Sequence, residues 1–295
     1  MDGPYRKIIF FHGNIFDLGK SFAEFARRDP NTLTVLSTRP KDTGFYQELF
    51  GADGKAPADP AYPNTMRIAI GTDPAICKEV YAKQLSRLVN NGKPVEVLLV
   101  YGIGPMTIEV DQQGRHTRGS HYSEMNPNTR GAVVYGLKHL ANSLFRLARD
   151  QSKQTGVEIH LKIITFGSVR DSLSLEQDGK LCVSLWSAKQ AVRRRLEKIF
   201  SGDAAECSKV KVSALMVSTI SIDTYAGKAM RPAADSRYWL STDQVADFTL
   251  QEADTLKPGE YRDSPLYTDR ERAYAPSTLT QALEAWAKAA RPRER

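Results

Sequence analysis

The chain has 295 residues, 41% of them hydrophobic, which is enough to bury a core without covalent staples and excludes the fibrous and disordered classes. Its three cysteines, Cys77, Cys182 and Cys207, are too widely spaced for a disulfide framework or a metal-ligand pair, which fits a reducing compartment, cytoplasm or organellar matrix. The formal charge of +7 suits an acidic or phosphate-bearing ligand, yet at this size it serves solubility first and does not point to nucleic acid.

An apolar run at 7–11 predicts a first strand, and its early start leaves no room for a signal peptide or a transit helix. The turn His12-Gly13-Asn14-Ile15-Phe16-Asp17-Leu18-Gly19 leads to a helix over 19–28, with Asp17 placed to cap it, and to a second strand over 33–37. This is a βαβ opening. Residues from about 40 to 65, with Gly51, Gly54, Pro57, Pro60 and Pro63, read as an irregular surface insertion. A strand at 66–70 and a helix at 75–91 follow, the helix carrying Ile76, Val80, Leu85, Leu88 and Val89 inward. The next strand, 95–100, is among the longest apolar runs and falls far short of the roughly 20 residues a bilayer span needs, so no membrane span is expected. Residues 105–128 are polar and read as a loop. Its His116 and His121 lack the Cys, Asp or Glu that would complete a ligand set, so no metal site is expected.

A helix over 129–151 has the stripe Val133, Leu137, Leu140, Leu144 and Leu147, and the strand at 160–166 ends in Gly167-Ser168. Beyond the loop 169–183, Ser184-Leu185-Trp186-Ser187-Ala188-Lys189-Gln190-Ala191 opens an amphipathic helix with Val192, Leu196, Ile199 and Phe200 on one face. A strand at 210–217 runs into Ser218-Thr219. A helix starts near Ser241 or Thr242, either of which can cap it, and 257–270 is Pro- and charge-rich and reads as irregular. The alternation predicts an α/β fold, a Rossmann-like doubly wound parallel sheet flanked by helices, as one domain over 1–270. Residues 271–295 form a helical tail with Leu279, Leu283 and Trp286 on one stripe and a basic end.

In order, these matches resemble the short-chain dehydrogenase/reductase family. Gly13 and Gly19 match two glycines of its Thr-Gly-x-x-x-Gly-x-Gly turn, and Asp17 replaces the middle one. That glycine lets the backbone approach a pyrophosphate at a helix N-terminus, where a carboxylate competes with the phosphate. The resemblance implies cofactor contacts at Gly13, Asp17, Leu18, Gly19, Arg39, Gly102, Lys189, Ser218 and Thr219, with Arg39 placed for the 2′-phosphate of NADP. Tyr101-Gly102-Ile103-Gly104 stands where the family has Asn-Asn-Ala-Gly, and Ile70 or Gly71 where it has an adenine-facing aspartate.

For catalysis the resemblance implies Ser168, Lys189 and a helix asparagine, either Asn128 or Asn142. Aligning Lys189 with the family lysine puts Leu185 in the place of the catalytic tyrosine. That tyrosine is the general acid, and an acid contributes about 100- to 10,000-fold in rate. Tyr135-Gly136-Leu137-Lys138 does not match the family's Tyr-x-x-x-Lys, because its spacing is three rather than four and it lies one βα unit too early, which favours a packing role for Tyr135. Two readings follow. One is a catalytically degenerate relative, an accessory or structural subunit that joins other subunits or copies of itself, with NADP or NAD as an optional structural ligand. The alternative is an atypical NADP-dependent oxidoreductase, reducing a carbonyl or oxidising an alcohol with Ser168, Lys189 and an acid such as Tyr135 or Tyr225. A weaker third reading is another Rossmann enzyme such as a methyltransferase.

Overall fold

The computed structural model describes residues 5–13, 17–37, 64–68, 74–90, 92–102, 107–110, 116–120, 127–168, 209–219, 222–223 and 239–266. In chain order these form β1 (Lys7–Gly13), α1 (Leu18–Arg28), β2 (Thr32–Ser37), β3 (Thr65–Ile68), α2 (Pro74–Val89), β4 (Val95–Gly102), β5 (Thr107–Val110) and β6 (His116–Ser120). Then come α3 (Pro127–Thr155), β7 (Ile159–Ser168), β8 (Val210–Thr219), α4 (Thr242–Thr255) and β9 (Tyr261–Leu266). Seven strands make one sheet in the order β3-β2-β1-β4-β7-β8-β9, and every pairing in it is parallel. Among the described residues no helix is long and apolar enough to cross a membrane.

The burial of β1 shows why the sheet takes this form. Five consecutive residues, Ile8 to His12, are buried, so the strand must be covered on both faces. Its side chains alternate between two cores. Ile8 and Phe10 join Tyr81, Leu85 and Leu88 of α2 and Leu140 and Leu144 of α3, while Ile9 and Phe11 join Phe22 of α1 and Val245 and Ala253 of α4. The α/β architecture read from the sequence is therefore the one observed.

The inward stripe of α2 holds the expected Leu85, Leu88 and Val89, with Val80 partly buried against the same core, and adds Cys77 and Tyr81, whose phenol packs on Phe10 with ring centroids 4.4 Å apart. Two segments expected to be irregular contain strands. His116 opens β6, which pairs antiparallel with β5, so 105–128 is not a simple loop. Within 257–270, β9 adds to β8, and its Pro265 is tolerated because β9 is the last strand of the sheet, where a missing N–H need not break a ladder.

At the N-terminal ends of the strands, the face under α4 turns polar. Lys162, 1% exposed, donates to Glu96 at 2.7 Å, and Lys7 lies 3.5 Å from Glu96 and 2.6 Å from Asp254 at the end of α4. Burial opposes ionisation of Glu96, yet Lys162, with Lys7 and His160 beside it, holds the carboxyl below the usual range. The start of α4 is set by Ser241, whose hydroxyl accepts from the Gln244 backbone N–H at 3.1 Å while the Gln244 side chain accepts from the Ser241 N–H at 2.9 Å. Replacing Ser241 by Ala is expected to lower stability by about 1 kcal/mol. Calorimetry should show this as a fall in Tm of about 2–4 °C.

Candidate functional site

In a parallel sheet that winds both ways, the loops diverge where the strand order reverses, and a crevice opens beyond the carboxyl ends of the strands. Here the reversal lies between β1 and β4, whose last paired residues are Gly13 and Gly102. A Cβ on Gly13 would meet the backbone carbon, Cα and oxygen of Gly102 at 3.0–3.1 Å, a tight contact with main-chain atoms. The close approach of two backbones therefore favours glycine at position 13.

Immediately below Gly13, His12 is buried, and its Nε2 lies 2.5 Å from the Tyr81 hydroxyl with the two rings edge to face. Burial, with small contributions from Cys77 and Tyr101, drives Tyr81 well above the ordinary phenol range, so it stays protonated. Among the described residues His12 is the hydrogen-bond partner of this phenol. The O–H therefore donates to Nε2, because the opposite polarity would leave a buried hydroxyl proton unpaired. Tyr101, which stands opposite His12 on β4, is buried too, and its hydroxyl is likewise held protonated by desolvation. Beneath the ends of β1 and β4, the α2 side of the sheet thus holds buried, hydrogen-bonded aromatic groups.

On the other side, α1 begins at Leu18 with Asp17 in the N-cap position. The Asp17 side chain makes no capping hydrogen bond, so the expected cap is present in place but not in chemistry. Leu18 and Gly19 form the first turn and are buried. The carboxylate stands at the positive end of the helix dipole. Further along the same sheet edge Gly167 pairs with Ser218 and Ser168 with Thr219, which brings the ends of β7 and β8 level with each other, and Thr219 is buried. Asn128 is the second residue of α3. Asn142 is half-buried and stands off the inward stripe of Leu137, Leu140, Ala141, Leu144 and Phe145. Tyr135 lies in α3. Arg39, Leu185, Lys189 and Tyr225 lie outside the described residues.

The structure thus brings Gly13, Gly102, Asp17, Leu18 and Gly19 to one end of the sheet with Ser168, Ser218 and Thr219. The His12–Tyr81 pair was missed from the sequence. Its members are 69 residues apart, and the only local sign was a histidine closing an apolar strand.

Several solved structures share this architecture. A short chain dehydrogenase from Bacillus anthracis matches with a TM-score of 0.57 at 10% identity, covering 88% of this chain and 95% of its own. One from Burkholderia cenocepacia, in complex with NADP, matches with a TM-score of 0.56 at 15% identity over 98% of each chain. The 3-ketoacyl-(acyl-carrier-protein) reductase from Brucella melitensis, complexed with NADH, gives 0.54 at 15% identity over 90% of this chain and 98% of its own. The chain has the short-chain dehydrogenase fold. No protein-family model and no curated protein matches the sequence. With that fold, the β1–β4 crevice is the place to look for a ligand.

Replacing Tyr81 by Phe leaves His12 Nε2 buried without its donor and is expected to cost about 1–3 kcal/mol. Urea unfolding should show a lower midpoint with an unchanged slope.

Proposed function

We propose that the chain is a short-chain-dehydrogenase-like protein that has given up ordinary carbonyl chemistry and serves as an accessory or structural subunit of a larger assembly. The observation that carries this reading is Asp17 at the N-terminus of α1. A helix N-terminus beside a glycine turn attracts phosphate through its dipole and free N–H groups. A carboxylate at the N-cap position repels a pyrophosphate that approaches this end of the helix. Leu185 in the place of the family's general acid supports the same conclusion from the sequence.

A second reading, an atypical NADP-dependent oxidoreductase, is favoured by one feature. Ser168 closes β7 at the same sheet edge as Gly13 and Gly102, where a substrate oxygen beside a dinucleotide would be met. Two of the similar structures hold NADP or NADH. In that reading Arg39 would meet the 2′-phosphate, Lys189 would support the proton transfer, and a tyrosine outside the usual position would supply the proton.

Calorimetric titration with NADPH and NADH separates the two. The accessory reading expects binding no tighter than millimolar, and Asp17→Gly should tighten it by about tenfold or more as the repulsion is removed. A micromolar dissociation constant for the native chain with turnover of a carbonyl substrate would overturn it. If the enzyme reading holds instead, Lys189→Ala should abolish turnover while the circular dichroism spectrum stays native. Gentle purification of the native protein reports on partners, since co-eluting subunits support the assembly.

A further inference from the structure

The two helical layers differ in charge. α2 and α3 lie side by side on one face of the sheet, and over 77–89 and 136–155 their lysines and arginines outnumber glutamates and aspartates seven to two. On the other face, α4 carries Asp243, Asp247, Glu252 and Asp254 and no lysine or arginine, while α1 mixes both signs.

The basic side chains of α3 are aligned. Lys138, Asn142, Arg146, Arg149 and Lys153 recur at intervals of four, four, three and four residues, which places them on one side of the helix. Leu137, Leu140, Leu144 and Ala148 face the sheet, so the line faces away from it, and Lys138, Arg146 and Lys153 are exposed. From Lys138 to Lys153 it runs about 22 Å at the helical rise. On the adjacent α2, Lys83 and Arg87 stand one turn apart and are exposed as well.

Elsewhere the chain meets its own cations with carboxylates: Lys7 and Lys162 with Glu96, Arg27 with Glu24, and Arg262 with Glu252 and Glu260. Along α3, Arg149 reaches Asp150 at 3.3 Å. Lys83, Lys138, Arg146 and Lys153 form no ion pair among the described residues. A field of one sign concentrated on one face is relieved by a partner of the opposite sign. A second copy related by a twofold axis would set this line against itself. The α4 of a second copy suits it poorly, because Glu252 and Asp254 are already bound to Arg262 and Lys7. Nucleic acid fits less well than protein. Glu79 and Asp150 stand among the cations and repel a phosphate backbone, whereas an acidic protein surface with a few basic groups can pair with both signs.

We propose that the outward face of α2 and α3 is the docking surface for the acidic face of a different protein subunit. The proposal rests on the accessory-subunit reading and names the chemistry of the partner: carboxylates spaced along a helix or strand that lies over Lys83, Arg146 and Lys153.

Fluorescence anisotropy of the whole chain with a labelled helical peptide of glutamate and alanine, about 20 residues and so about 30 Å long, tests this. Binding should weaken at least tenfold from about 50 to 300 mM salt. Arg146→Glu combined with Lys153→Glu should weaken it at least tenfold at low salt, with a native circular dichroism spectrum. Arg27→Glu combined with Arg28→Glu, on α1 of the opposite layer, should leave it within about twofold. An unchanged affinity in the α3 variant, equal losses in both variants, or tighter binding of a DNA duplex carrying the same number of negative charges overturns the proposal. So does a native dimer in sedimentation that the α3 substitutions dissolve. Should the double variant not fold, Arg146→Gln and Lys153→Gln measured singly decide: each should weaken binding about threefold, and no change in either overturns the proposal. No dinucleotide enters this measurement, so its failure is separate from failure of the accessory reading, which the NADPH titration reports.

Discussion

A parallel strand can reach its neighbour only by a crossover that lays a helix on one face of the sheet, and this constraint governs the molecule. β1 has β2 on one side and β4 on the other, so the chain must wind first one way and then the other. The helices are thereby distributed over both faces, α1 and α4 on one and α2 and α3 on the other. The side chains of the central strands must then be mostly apolar in both directions, and the place where loops part without a helix closing the gap is the β1–β4 boundary. The position of the candidate site is a consequence of winding, independent of which residues stand there.

What stands there departs from what a dinucleotide would ask for. The backbone geometry is kept, with Gly13 against Gly102 and a helix starting just beyond. A carboxylate stands at Asp17, and beneath the ends of β1 and β4 the buried Tyr81 is hydrogen-bonded to His12, with Tyr101 buried beside them. Features that specify a fold act through volume and backbone conformation, while features that specify a ligand act through charge and free hydrogen-bonding capacity. The two sets vary independently, which is why a shared fold at 10% to 15% identity says little here about shared activity.

Most of the sheet was legible because fully buried parallel strands are written as unbroken apolar runs, as at 7–11, 95–100 and 160–166. β9 was not, since Tyr-Arg-Asp-Ser-Pro-Leu has two charges and a proline, and an edge strand needs only one covered face; Ser264 and Leu266 are its buried residues. The inward place of Tyr81 on α2 was not read, because a tyrosine does not announce on which side it will lie, and here its hydroxyl found a buried imidazole. At the site, Gly13, Asp17 and Ser168 could be found from their spacing to strand ends. The His12–Tyr81 bond and the ion chain from Asp254 to Lys162 could not, since each joins elements far apart in sequence whose proximity only the folded sheet creates.

The approach of Gly13 to Gly102 has a bearing on how this protein could change. Where two glycines face each other at the ends of adjacent strands, the seam carries no side chain, and a molecule lying there would be met by amide dipoles that are the same whatever the surrounding sequence. Selectivity must then reside in the rim, in segments that leave the strand ends and tolerate substitution without disturbing the sheet. A chain built this way can exchange one ligand for another, or dispense with ligands altogether, while the seam beneath stays the same.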